Sequence, residues 1–161
     1  MSLSILEEKI NNNNIEEAID IISEIGNNKD VEAVPFLIHH LVDTNNNILR
    51  NAIAIALADI GSNEAIEPLI SMIKNPKTIG YRGTLLYALE SFDCSDHAQL
   101  IVDLLGEDNF EVSRQSLLLL ESIADNIPKE VKQKCIQKIQ DKIVSLQDKI
   151  EFLSESLEVL M

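Results

Sequence analysis

Aromatic side chains are scarce in this chain: only 4% of 161 residues are Phe, Trp or Tyr, and tryptophan is absent, although 45% are apolar. A core this poor in rings is filled by Leu, Ile, Val and Ala, which suits helices packed on helices. Cysteine is nearly missing as well. Cys94 and Cys135 stand far apart without metal-ligand or redox spacing, which argues against a disulfide framework and for a reducing, cytoplasmic setting. No apolar run approaches the roughly 18 residues of a membrane span, and no signal peptide is visible. No Gly-rich phosphate loop exists, and no Ser, Cys or Lys has a paired base. Cations are also few, with 13 Lys and Arg against 27 Asp and Glu, a net charge of -14.

That deficit is uneven. Residues 1 to 128 hold 7 cations against 21 acids, whereas residues 129 to 161 hold 6 of each. The acidity therefore belongs to the first part, which would repel phosphate backbones and anionic membranes and attract a basic protein.

What the chain does contain is a repeat. Ala33, Leu37, Ile38, Leu41, Arg50, Leu57 and Ile60 recur 32 residues later as Ala65, Leu69, Ile70, Ile73, Arg82, Leu89 and Phe92, and Arg114 follows Arg82 by the same interval. A fixed period of this length denotes stacked units rather than one globular fold. Each unit reads as helix, polar turn, helix: 30 to 43 with 46 to 60, 63 to 74 with 79 to 92, and 95 to 105 with 109 to 124. Asp30, Asn63 and Ser95 are expected to cap the first helices, and 108 to 111 has the spacing of a capping box. Pro35 and Pro68 fall in opening turns, where a missing N–H costs little. Ahead of these units, 3 to 10 and 14 to 26 read as shorter helices, with Gly26 as a left-handed terminator. Met1-Ser2-Leu3 reads in part as an expression remnant.

The run Ala33-Val34-Pro35, Leu37-Ile38, Leu41, Asp43, Arg50, Ala52 to Leu57 and Ile60-Gly61 resembles the HEAT-like repeat of the phycobilisome-lyase type. The resemblance covers about three fifths of the chain. It fades along the sequence, since Asn75 replaces Asp43, Asp93 replaces Gly61, and the third unit lacks the proline. The fold it implies is all-α: a right-handed α-solenoid of HEAT-like helix pairs over residues 1 to 127. A long heptad-patterned helix over 128 to 161 completes the chain.

In that last segment Ile136, Ile139, Ile143, Leu146, Ile150, Leu153, Leu157 and Leu160 alternate in steps of three and four. Mostly Ile at the first seam position and Leu at the second favours a parallel two-stranded coiled coil, if the seam faces another copy. The other expectation is that this helix caps the open end of the solenoid.

The resemblance also frames the candidate polar sites. Asp43, Arg50, Asn75, Arg82, Asp108 and Arg114 are expected to form a structural ladder, each arginine reaching the acceptor in its own turn. Five residues after each arginine stand Ile55, Tyr87 and Leu119, which would form an apolar stripe along the concave second-helix face. Asp59, Glu90 and Glu121 would rim it with charge, the anatomy of a protein interface; the stripe reads equally as a second core layer. His39 and Asp43 have i, i+4 spacing but no further ligand, so neither metal nor cofactor is expected.

These features describe a non-catalytic protein-binding module with an acidic concave surface. In concrete form it is a bacterial immunity-type inhibitor of a basic partner such as a toxin nuclease, with a homodimer through the C-terminal helix. The alternative implied by the resemblance is a HEAT-repeat bilin lyase or isomerase, for which only structural grammar, not chemistry, matches.

Overall fold

A computed structural model describes residues 3 to 161, so Met1 and Ser2 lie outside the described residues. The described chain is helical, with no strand among these residues: α1 (Leu3–Asn11), α2 (Ile15–Asn27), α3 (Val34–Asp43), α4 (Asn47–Ile60), α5 (Ile66–Lys74), α6 (Gly83–Leu89), α7 (Ala98–Leu104), α8 (Phe110–Ile123) and α9 (Lys129–Glu158). Short 3-10 turns precede α3, α5 and α7 and separate α5 from α6.

The helices stack in two layers. The second helices pack in succession, α2 on α4, α4 on α6 and α6 on α8, while α3 packs on α5 and α7 on α9. One apolar cluster runs through both layers from Leu6 to Cys135; it is made mainly of Leu, Ile, Val and Ala, with Phe92 as its one buried ring among the described residues. This is an all-α solenoid, and α9 packs on α7 as the first helix of a further unit would.

Asparagine starts the long second helices. The Asn46 side chain accepts from the Ile48 and Leu49 amides at 2.9 and 3.1 Å, and Asn109 accepts from Glu111 and Val112 at 3.0 and 3.4 Å. Each satisfies two amides that the first turn leaves without partners. Asp30 caps its 3-10 turn as expected, but Asn63 and Ser95 lie one residue inside theirs, behind Ser62 and Cys94. The amide of Ser95 is instead taken by Asp93 at 3.1 Å.

Gly26 is not the terminator of α2. The helix ends with Asn28 as C-cap and Lys29 in the left-handed region at φ 52, where the Asp30 amide reaches Ile25 and the Lys29 amide reaches Gly26. Gly26 is needed one turn earlier for closeness: a Cβ there would stand 2.9 Å from the Ala56 Cα. The α2–α4 packing thus excludes a side chain at this point. Gly61, at φ 76, is the left-handed C-cap of α4.

Candidate interaction surface

The ladder forms with different partners from those its spacing suggests. Arg50, only 1% exposed, donates to the Thr44 carbonyl and the Asn47 side-chain oxygen, not to Asp43. Asp43 is exposed and lies 3.6 Å from His39 instead. Arg82 donates to Glu107, in the following unit, while Asn75 accepts from the Lys77 amide at 3.0 Å. In both cases the guanidinium reaches a turn that joins two helices, but Arg50 finds a backbone carbonyl and an amide side chain in its own turn, and Arg82 finds a carboxylate in the turn of the next unit. Without a carboxylate beside it, Arg50 has its pKa lowered by burial.

Arg114 leaves the ladder altogether. It is exposed, and Ser113 takes its place, with Oγ donating to the Glu107 carbonyl at 2.8 Å. That bond spans six residues, as the Arg50 bond to Thr44 does. Asp108 is exposed as well. The cause is register: Asn46 precedes Arg50 by four residues, whereas Asn109 precedes Arg114 by five. The third unit is therefore one residue out of step with the 32-residue period.

The same slip displaces one member of the apolar stripe. Ile55 and Tyr87 are 41% and 55% exposed on α4 and α6, but Leu119 on α8 is 0% exposed and belongs to the core. Leu118 occupies its place, 39% exposed. A helix turns about 100° per residue, so a one-residue slip carries a side chain from the solvent face to the buried one. The stripe is thus Ile55, Tyr87 and Leu118, and Ile19, half-buried on α2, extends it. Between α2 and α4 lies a shallow depression of ≈ 150 Å³ lined by Ile19, Ser23, Ala52, Ile55, Ala56 and Asp59.

Of the expected rim, Asp59 and Glu121 are both exposed, and Asp59 lines the depression beside Ile55. Glu90 is half-buried and accepts from the Gln115 amide of α8; burial raises its pKa, and the hydrogen bond only partly offsets this. It ties α6 to α8 as much as it borders the stripe. Aligning the N-cap asparagines rather than the arginines would have identified both Ser113 and Leu118 from sequence.

Seven of the eight seam residues lie in α9, and Leu160 stands two residues beyond its end. Near the start of the helix Cys135 is buried and Val131 packs against the core, both off the seam, and Ile139 is the seam residue that packs there with them. From Ile143 onward the seam is bare: Ile143, Leu146, Ile150, Leu153, Leu157 and Leu160 are all exposed, as Ile136 is earlier. Among the described residues no three His, Cys, Asp or Glu side chains cluster as metal ligands, and no helix is long and apolar enough to cross a membrane.

Compared with known proteins, the chain matches the family model described as HEAT repeats over residues 3 to 90, more than half its length. No curated protein matches it, and no solved structure does.

Proposed function

The chain belongs to the HEAT repeats, and from that premise we propose that it is a non-catalytic protein-binding scaffold whose second-helix face holds a basic partner protein. HEAT repeats are generally protein-interaction scaffolds. The observation that carries the finer reading is the exposure of Ile55 and Tyr87 on consecutive second helices, beside Asp59, in a body with 7 cations against 21 acids. Apolar anchors within a charged border match the anatomy of a recognition surface. Phosphate backbones and anionic lipid suit the same charge poorly, so the partner is a cationic protein rather than a nucleic acid or membrane. An immunity-type inhibitor that covers a bacterial toxin nuclease in the cytoplasm is the concrete form of this reading, because complementary charge speeds capture. Association of two copies through α9 belongs to it too.

The test is kinetic, on a partner identified by co-purification with the native protein. Charge guides encounter, so neutralising Asp59 and Glu121 together should slow association and flatten its salt dependence. Tyr87 lies between Ile55 and Leu118, so Tyr87→Ala should speed dissociation, at a cost of about 2 kcal/mol. A partner whose affinity ignores both changes is held elsewhere, and the proposal fails.

A further inference from the structure

We propose that two copies of the chain pair through α9 in antiparallel orientation, about a two-fold axis at Asp148, so that the distal half of each helix lies along the proximal half of the other. The proposal rests on the reading of α9 as an association surface and adds the orientation, the register and the receiving groove.

The seam itself fits this register from end to end. With Asp148 at the axis, Ile136 faces Leu160 of the second copy, Ile139 faces Leu157, Ile143 faces Leu153, and Leu146 faces Ile150. All eight apolar positions find an apolar partner, first seam position against second, and none is left over. The bare stretch from Ile143 onward would be covered by the same contact that covers Ile136.

Charge selects between the two orientations, against the parallel one that the Ile and Leu pattern alone favours. The proximal half of α9, residues 129 to 142, has five lysines against two acids, and the distal half, 143 to 161, has one lysine against four acids. A parallel pair sets like on like in both halves. The antiparallel pair sets the basic half against the acidic half. It also sets the two levels at which the acidic bodies pack on α9, around Ile139, 18 residues or about 27 Å apart along the axis, where a parallel pair would place them side by side.

The body has a place for the incoming helix. A groove of ≈ 540 Å³ opens between the C-terminal end of α7 and α9, with Val102, Leu105, Ile139, Ile143 and Leu146 among its lining residues. Leu153 and Leu157 of the second copy are the side chains that this register delivers beside Ile143 and Ile139. Lys138 and Lys142 line the same groove together with Asp103 and Asp141, and the acidic distal half of the second copy would pass along it with Glu151, Glu155 and Glu158 on the side of that helix away from the seam. Lys138 donates to both carboxylate oxygens of Asp103 at 2.7 Å, and the stem of Lys142 crosses Gly106, so both side chains are held at the groove. The incoming helix would run antiparallel to α9, in the sense in which consecutive helices of a solenoid unit pair, and would take the position of a second helix beside it.

Light scattering on the full chain should give a dimer. Ile143→Glu and Leu153→Lys are the diagnostic variants, because both side chains are exposed in the single chain and neither change disturbs its core. Each variant alone should weaken dimerisation at least tenfold. Mixed in equal amounts they should recover it, since only antiparallel pairing sets the introduced carboxylate of one chain against the introduced ammonium of the other and leaves the second such layer unchanged. A wild-type dimer with no recovery in the mixture overturns the orientation while keeping α9 as the contact. A dimer indifferent to both variants, or a monomer throughout the micromolar range, overturns the α9 interface as well; neither result bears on the second-helix face.

Discussion

Arg82 and Glu107 stand 25 residues apart in sequence, yet the Arg82 guanidinium donates to the Glu107 carboxylate across the boundary between two repeat units. The arginine side chain is 12% exposed and the glutamate side chain 29%, so the pair is screened less than a surface ion pair. It ties the turn of one unit to the turn of the next.

A stability series follows from this pairing and from the one-residue slip beyond it. Arg82→Ala should destabilise by about 1 to 3 kcal/mol, because it leaves Glu107 without its partner. Arg114→Ala, on the solvent side of α8, should stay within about 0.5 kcal/mol. Urea denaturation of both variants checks this, and equal losses at the two positions would contradict the one-residue slip. In a double-mutant cycle with Glu107→Gln, coupling should appear for Arg82 and vanish for Arg114.

Gly26→Ala should destabilise despite the better helix propensity of alanine. Propensity favours the change by about 1 kcal/mol, but the new methyl group would meet the Ala56 backbone at 2.9 Å and push α2 off α4. Overpacking of this kind costs about 1 to 3 kcal/mol, so the net effect should be a loss. A raised melting temperature would mean that the two helices separate freely.

Glu90 supplies a pH-dependent test. Burial raises its pKa above the ordinary value of 4.5, so the folded state holds this proton more tightly than the unfolded chain does. The stability contributed by the protonated form is fully present below that ordinary value and is lost as pH rises through the raised one. Glu90→Gln keeps an oxygen for Gln115 and removes the charge. The variant should therefore melt higher than wild type at neutral pH, with the difference closing as pH falls toward 4.5. A constant difference across that range would show that Glu90 is not perturbed by folding.

The exchange of Leu119 for Leu118 can be tested the same way. Leu119→Ala empties a buried site and should cost about 2 to 5 kcal/mol, whereas Leu118→Ala should cost far less. If the stripe is the binding face, only Leu118→Ala should weaken partner affinity in a protein that remains fully folded. Calorimetric melting separates the two, and comparable losses of stability would return Leu118 to the core.

Cys94 is a buried thiol whose pKa is pushed to about 11 by its surroundings, and burial raises that of Cys135 too. Both should react slowly with thiol reagents at neutral pH in the native protein and rapidly once it is denatured. Prompt native labelling would mean that these sites open readily.

The local and periodic features were determined by the sequence alone. Recurrence of Ala33, Leu37 and Arg50 at a fixed interval dictates helix pairs, because only stacking neighbours can bury a face that repeats in this way. The C-terminal seam likewise dictates a long helix, and it formed as α9. What only tertiary structure decided were the features that depend on a neighbour's exact placement. Gly26 reads locally as a helix terminator, and only the approach of Ala56 makes it a packing residue. Arg82 has an acceptor in its own turn by sequence, and only the stacking of units brings Glu107 nearer. Leu119 falls on the stripe by counting from Arg114, but a helix starts where its cap is satisfied, and Asn109 sets that start one residue out of step. Periodicity specifies which faces are apolar, whereas caps and contacts between helices decide which residue stands at each point on them.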